Sequence, residues 1–142
     1  MNGGAGGVGS AVIQLAKASG AKVIATVGNA EKKALCESWG TDCVVDYHSA
    51  TMDGEIKAFA SANGGLQVWF ETQKPTNLER TVGLMSPRGR IIVMAGRDAR
   101  PEFPNGPFYV KDLRMFGFAM FNATPDEQRT SAEAINALAA RG

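Results

Sequence analysis

The 142-residue chain predicts an α/β fold with a doubly wound parallel sheet, and three observations carry that expectation. A glycine-rich run opens directly into an amphipathic helix-like stretch. Short β-branched runs then alternate with helix-like segments along nearly the whole chain. Those runs sit between turn signals, as strands of a buried parallel sheet do.

The elements follow in order. Ala11 to Ser19 is helix-like and ends at Gly20, and Lys22 to Val27 is a strand ending at Gly28-Asn29. Ala30 to Trp39 is a second helix closed by Gly40, and Cys43 to Tyr47 is the next strand. Ile56, Phe59 and Ala60 stand at helical spacing before the breaker Asn63-Gly64-Gly65. Leu66 to Phe70 is a strand. Pro75 to Met85 is helical, with Leu78, Val82 and Met85 on one face and Pro75 suited to a first turn. Ser86 to Gly89 is a turn, and Arg90 to Ala95 is the clearest strand of all. Gly96 to Pro107 holds three prolines and is expected to form no element. Leu113 to Met120 is a last strand. Thr124 caps a final helix, with Pro125 at its first position and Glu127 completing a capping box. Ala132, Ile135, Leu138 and Ala139 supply its apolar face. No repeat, low-complexity stretch or domain linker interrupts residues 1–142.

The glycine run Gly4-Ala5-Gly6-Gly7-Val8-Gly9 fits G-x-G-x-x-G. As a dinucleotide loop, Gly4 makes the tight turn, Gly6 admits a pyrophosphate, and Gly9 lets the helix pack on its strand. The free N–H groups at the helix start face the phosphates. Such a motif alone is weak, because glycine clusters also mark plain loops. It should follow a buried strand, yet only Met1, Asn2 and Gly3 precede it. With one strand supplied upstream, the strand count becomes six, the order of a Rossmann dinucleotide-binding fold.

Composition excludes several classes. A net charge of +1, with scattered Lys and Arg, gives no case for nucleic acid or an anionic membrane. No apolar run reaches membrane-spanning length, and no leader opens the chain. Cys36 and Cys43 are the only cysteines and have no second pair to build a zinc site, so they read as reduced thiols. A cytoplasmic location is expected. No metal site is expected either.

Taken together, Gly4 to Ser10, Ala25-Thr26, Lys32, Gly40-Thr41-Asp42, Val44 to Tyr47 and Gly89 to Val93 resemble the coenzyme-binding domain of medium-chain dehydrogenase/reductases. The branch they resemble most is the zinc-independent NADPH:quinone oxidoreductases, the zeta-crystallin-like proteins. The likeness covers nearly the whole chain and implies a Rossmann domain lacking its first strand and a separate N-terminal substrate domain. It implies that Ala5 to Val8 lie against the pyrophosphate and nicotinamide side, that Lys32 meets a 2′-phosphate, and that Tyr47 lies near the adenosine. It places Met94, Ala95, Gly96 and Arg97 at the nicotinamide half, with Met120, Phe121 and Asn122 nearby. Glu71-Thr72-Gln73-Lys74-Pro75 departs from the family's glycine-bearing turn, which leaves Thr72 without a role.

Blander readings stand beside these. Tyr47 equally caps a strand end, and His48, a lone loop histidine, is solvated and no catalytic base. Trp39 and Trp69 are core residues. Phe103, Phe108 and Tyr109 either line a substrate cleft or pin the proline-rich loop, pinning being preferred. Glu31 serves the dipole of its helix.

The expected function is an NADPH-binding domain of an oxidoreductase that transfers hydride to a quinone or an enone-like carbonyl compound. No side chain stands out as a catalytic acid, base or nucleophile. An enoyl reductase module of a polyketide synthase or an alkenal reductase is the close rival; a non-catalytic NADPH-binding module is the distant one. NADPH is preferred over NADH because the region about 20 residues beyond the fingerprint, Val27-Gly28-Asn29, holds no acid. Gly28 leaves room for a 2′-phosphate, Asn29 donates to it, and Lys32 (with Lys33 as the alternative) supplies positive charge. A homodimer through the Leu113 to Met120 edge strand is expected of the complete protein, and this chain alone is expected to be inactive.

Overall fold

The computed structural model describes residues 1–72, 74 and 76–140. Pro75, expected in a first helical turn, lies outside the described residues.

Helix α1 (Gly7–Ala18) leads into β1 (Ile24–Val27), α2 (Ala30–Ser38) and β2 (Cys43–Asp46). Then come α3 (Met52–Ala62), β3 (Leu66–Glu71), α4 (Leu78–Leu84) and β4 (Met85–Val93). A short helix α5 (Asn105–Val110), β5 (Arg114–Gly117), a single 3₁₀ turn (Met120–Asn122) and α6 (Pro125–Ala139) complete the chain. All strand pairs are parallel, in two groups, β1-β2 and β3-β4-β5.

Residues Met1 to Gly4 run between the groups. Thr26 N–H donates to Met1 O and Gly4 N–H to Thr26 O, both at 3.0 Å, while Asn2 N–H donates to Phe70 O at 3.3 Å. Residues Met1 to Gly4 therefore lie between β1 and β3, and the order reads β2-β1-(1–4)-β3-β4-β5.

Side-chain alternation builds one core on each face of the sheet. Ala25, Val27 and Val44 join Ile13 of α1 and Cys36 of α2 in one cluster. Ile24 and Val45 point the other way, into a larger cluster with Ile56 of α3, Val82 of α4, Trp69 and Ile91. Both faces of β1 are covered, so all four of its residues are buried. Trp69 is core, as expected, and Trp39 packs half-buried against the smaller cluster.

Several elements differ from expectation. Helix α4 starts at Leu78, because the Asn77 side chain accepts from Arg80 N–H at 2.9 Å and caps it there. Met85 belongs to the strand. The expected Ser86–Gly89 turn is a bulge inside β4: Leu66 pairs Met85 and Val68 pairs Arg90, so Gln67 alone stands opposite Ser86 to Gly89. Arg88 takes a left-handed φ of 62° within it, and its N–H donates to Lys111 O at 2.7 Å.

The proline-rich stretch does form an element. Pro107 is the third residue of α5, where its missing N–H has no intrahelical acceptor to forgo. Phe103 and Phe108 pack with ring centroids 4.9 Å apart, and Phe108 reaches the larger core, whereas Tyr109 is exposed. Pinning thus holds for two of the three rings. Strand β5 stops at Gly117 because its partner β4 stops at Val93, and the chain turns helical at Met120. Helix α6 has the expected Thr124–Glu127 capping box but buries no residue.

Asp42 ties the start of β1 to the end of α1. It accepts from Lys17 Nζ at 2.7 Å, Lys22 Nζ at 3.1 Å and Val23 N–H at 2.8 Å. Desolvation raises its pKa, but these bonds outweigh that and hold the carboxyl well below the usual range. A depressed carboxylate pKa contributes stability that is full above the ordinary Asp value of about 3.9 and is lost as pH falls below it. The urea midpoint should therefore fall between about pH 5 and about pH 2, and more shallowly in Asp42→Asn than in wild type. Equal slopes would remove Asp42 from the acid transition.

Candidate functional site

The glycine loop turns at the carboxyl ends of the strands. The tight turn is made by Gly3, with φ 65°, and Gly4 instead is held by packing. A Cβ on Gly4 would lie 2.8 Å from Ala25 Cβ and 2.9 Å from Cys36 Sγ. A Cβ on Gly9 would run into the carbonyl oxygen of Gly3, so the expected close helix–strand approach is there. Gly6 N–H donates to Gly3 O at 3.0 Å, closing the loop. Helix α1 starts at Gly7, inside the motif, with Gly6 as a cap that has no side chain to offer. Gly6, Gly7 and Val8 are exposed, Ala5 is half-buried, and a Cβ on Gly7 would meet nothing within 4 Å. An uncapped, acid-free first helical turn thus faces open space, which suits an anion.

A buried polar network holds the loop in place, and only a faint sign of it is visible in the sequence. Asn2, 3% exposed, donates from Nδ2 to both carboxylate oxygens of Glu71, at 3.0 and 3.1 Å. Thr26 Oγ1 donates to Asn2 Oδ1 at 3.1 Å, and Trp69 Nε1 to Glu71 Oε2 at 3.1 Å. Thr72 Oγ1 donates to Asn2 O at 2.8 Å and lies against Gly3. Thr72, to which the family resemblance assigns no role, anchors the loop. The available signal was an acid and a threonine ending a hydrophobic strand.

The remaining candidate residues divide into three groups. Gly28 sits at the end of β1 with the Tyr47 hydroxyl where its Cβ would be, so the space beside Gly28 is filled by Tyr47. Tyr47 is 40% exposed and tilts against His48 at 4.4 Å, itself exposed. Asn29 caps α2, its Oδ1 accepting from Lys32 N–H at 2.9 Å, which leaves its amide nitrogen as the donor. Lys32 and Lys33 are exposed in the first turn of α2, beside Glu31. The acid paired across from Val27 is Asp46, whose Oδ1 accepts from His48 N–H at 2.8 Å.

Met94 follows β4, and its N–H donates to Glu71 O at 3.3 Å, which sets Met94 and Ala95 beside the loop's anchor. Gly96 has φ 82° and turns the chain toward exposed Arg97. Met120, Phe121 and Asn122 form the 3₁₀ turn that follows Phe118, whose N–H donates to Val93 O at 3.0 Å at the end of β4. Met120 and Phe121 are strongly exposed, and Met120 and Asn122 line a cleft of about 920 Å³ beneath α6. Another cleft, of about 700 Å³, lies between α3, α4 and Pro101-Glu102.

Among the described residues no group of three or more His, Cys, Asp or Glu converges on one point. Burial raises the thiol pKa of both Cys36 and Cys43, the opposite of what a metal ligand needs. No described helix is long and apolar enough to cross a membrane.

Residues 7–140 match the family model described as zinc-binding dehydrogenase. The chain belongs to this family. Within the zinc-binding dehydrogenases it falls on the medium-chain, quinone oxidoreductase side, as the sequence resemblance implies. Rat quinone oxidoreductase is 31% identical over 142 residues, covering 100% of this chain and 43% of the relative. The quinone oxidoreductase of Thermus thermophilus, solved also in complex with NADPH, is 27% identical with a TM-score of 0.69, covering 98% of this chain and 41% of that one. The Escherichia coli quinone oxidoreductase complexed with NADPH shares the fold at a TM-score of 0.81 and 23% identity, covering 96% and 43%. The chain thus spans less than half the length of the curated relatives it matches. Zinc in the family's description does not fit the donors among the described residues.

Adding a methyl group separates the glycines. Gly9→Ala should destabilise by about 1–3 kcal/mol, the usual cost of forcing a methyl into packed surroundings. Gly7→Ala should stay within about 0.5 kcal/mol of wild type. Chemical denaturation of the two variants checks this.

Proposed function

We propose that this chain is the NADPH-binding domain of an oxidoreductase that delivers hydride to a quinone or an enone-like carbonyl compound. The observation that carries the reading is the open, uncapped start of α1 at the carboxyl ends of a parallel sheet, beside a β1 end that holds no carboxylate. The NADPH complexes of the structural relatives support the cofactor.

In this reading the first-turn N–H groups of α1 take the pyrophosphate, with the helix dipole favouring its charge. Asn29 Nδ2 and Lys32 take the 2′-phosphate, and Tyr47 flanks the adenosine. Met94 to Arg97 border the nicotinamide half, with Met120 to Asn122 near it. The bound dinucleotide supplies the hydride; the chain's task is to bind and orient it. A further domain closes the cleft, excludes water and positions the acceptor. Quinone reduction by the 142-residue chain alone would overturn that division of labour.

Cofactor preference tests the site in the complete enzyme. Lys32→Ala should weaken NADPH binding by about tenfold to a hundredfold, the loss of one charge-assisted contact, and barely change NADH. Asn29→Asp keeps a cap for α2, since Asp caps as well as Asn, so its effect is one of charge: the preference for NADPH should narrow or reverse. Equal losses for both cofactors in Lys32→Ala would show that Lys32 supports the fold instead.

Strand β5 is a sheet edge with Phe116 and Phe118 about half exposed. An unpaired edge invites its twofold copy, and we assign the complete protein a homodimer through this strand. Phe116→Pro removes a ladder donor from β5 on its β4 side, loosening the strand that would form the seam, and should shift the sedimentation coefficient toward the monomer. A wild-type monomer at micromolar concentration would rule the dimer out.

A further inference from the structure

Glu71 is the last residue of β3, with the glycine loop on one side and the segment that follows β4 on the other. Its side chain and its backbone face different neighbours. Both carboxylate oxygens accept from Asn2 Nδ2, at 3.0 and 3.1 Å, and Oε2 also accepts from Trp69 Nε1 at 3.1 Å. The Glu71 carbonyl accepts from Met94 N–H at 3.3 Å, one step past the Glu71–Val93 register pair. Thr72, the next residue, donates from Oγ1 to Asn2 O at 2.8 Å. Gly3 and Gly4 follow Asn2, while Ala95 and Gly96 follow Met94. One residue of β3 is therefore fastened to both segments.

The chemistry of the pair is directional. Thr26 Oγ1 donates to Asn2 Oδ1 at 3.1 Å and accepts from Gly3 N–H at 3.4 Å. With its oxygen occupied there, Asn2 presents Nδ2 to residue 71. A carboxylate only accepts, so it can face Asn2 Nδ2 and Trp69 Nε1 together. A glutamine cannot. Whichever way its amide is turned, its NH2 group stands where a Glu71 oxygen now accepts from Asn2, donor against donor. Turning the Asn2 amide over instead places Nδ2 on Thr26 Oγ1 and takes away the acceptor of the Thr26 hydroxyl. Asn2, Thr26, Trp69 and Glu71 are all buried, so water cannot repair the mismatch. The misfit falls on Asn2 and Thr26, the residues that hold Gly3.

We propose that Glu71 is a positioning residue for hydride transfer, setting the separation between the glycine loop and the Met94–Gly96 segment. This rests on the functional reading above, in which the loop takes the pyrophosphate and that segment borders the nicotinamide. Two parts of one bound molecule are then referred to a single side chain. Glu71 is 1% exposed and acts through Asn2 and Met94, without touching the cofactor. The phosphate contacts of the same reading lie at the starts of α1 and α2. Ile13 and Cys36 pack those helices into the smaller core, and Asn29 caps the second, independently of residue 71. Affinity is thus separable from reactivity. The rate depends on where the nicotinamide stands, and a misplacement of about 1 Å can cost about a hundredfold.

A swap in the complete enzyme tests this. Glu71→Gln should slow hydride transfer, measured in a single turnover with a quinone or an enone, by about tenfold to a hundredfold. NADPH Kd should stay within about threefold of wild type. In steady state, the isotope effect with NADPH deuterated at both C4 positions should rise, because the transfer step becomes slower than product release. Adding Asn2→Asp exchanges the acid and the amide. Position 71 then donates to position 2, which still accepts from Thr26, and Trp69 keeps an acceptor. The double variant should restore the single-turnover rate to within about threefold. Should Glu71→Gln fail to fold, Thr72→Val removes one bond to the same backbone and should raise the isotope effect by itself. A loss confined to NADPH Kd, a loss that the double variant does not restore, or an unchanged isotope effect in both single variants overturns the proposal. A wild-type enzyme that oxidises NADPH with neither acceptor class removes the functional reading, and this inference with it.

Discussion

Four residues hold the two halves of this sheet together. Met1 to Gly4 donate and accept across to Ile24, Thr26 and Phe70, and β1 and β3 are bridged by nothing else in the plane of the described sheet. Backbone bonds alone would leave such a short bridge free to fray. The Asn2 side chain fastens it by donating from Nδ2 to the two carboxylate oxygens of Glu71 and accepting from Thr26. A buried carboxylate is costly unless it is well bonded. Glu71, 1% exposed, has Asn2 and Trp69 among its hydrogen-bond donors. The glycine loop inherits its position from this network, since Gly3 and Gly4 follow Asn2 directly.

Much of this was legible in the sequence because it is written in local terms. Strand and helix alternation, the Thr124 capping box and the Gly9 contact each depend on spacing within a few residues. What escaped depends on pairs far apart. Asn77 ends up capping α4 through its own side chain, and sequence favoured the nearby proline instead. The bulge at Ser86 to Gly89 reads as a turn because its proline and glycine are turn residues; only the partner strand shows that pairing resumes beyond it. The Asn2–Glu71 contact spans 69 positions and has no periodic signature. At the candidate site, the exposed helix start and the acid-free end of β1 were readable. The Tyr47 hydroxyl against Gly28 was not, because a glycine suggests room and cannot show who fills it.

That contact makes the ends of β1 and β2 a single surface. Val27 pairs Asp46, Tyr47 N–H donates to Val27 O at 3.0 Å, and the Tyr47 ring then closes over Gly28. Any side chain at Gly28 would lift the ring and with it the loop that follows. The start of α2 is fixed separately by Asn29, so the two strand ends and the helix between them form a rigid ledge. Specific recognition benefits from such a ledge, because little ordering remains to be done when a ligand arrives.

The segment from β4 to β5 is an arch with two fixed feet. One is Met94, bonded to Glu71 O; the other is Lys111, whose Nζ donates to the carbonyls of Val82, Gly83 and Met85 at 2.8, 3.0 and 2.9 Å. A single ammonium thus ties off the end of α4 and sets where the arch comes down. Between the feet, Gly96 to Glu102 carry no buried side chain. Loop closure grows only logarithmically with length, about 0.6 kcal/mol for each doubling. The span can therefore lengthen, shorten or change composition while the sheet beneath it keeps its register. In evolutionary terms, Asp98 to Glu102, beyond the residues that border the proposed nicotinamide site, can diversify without disturbing the sheet.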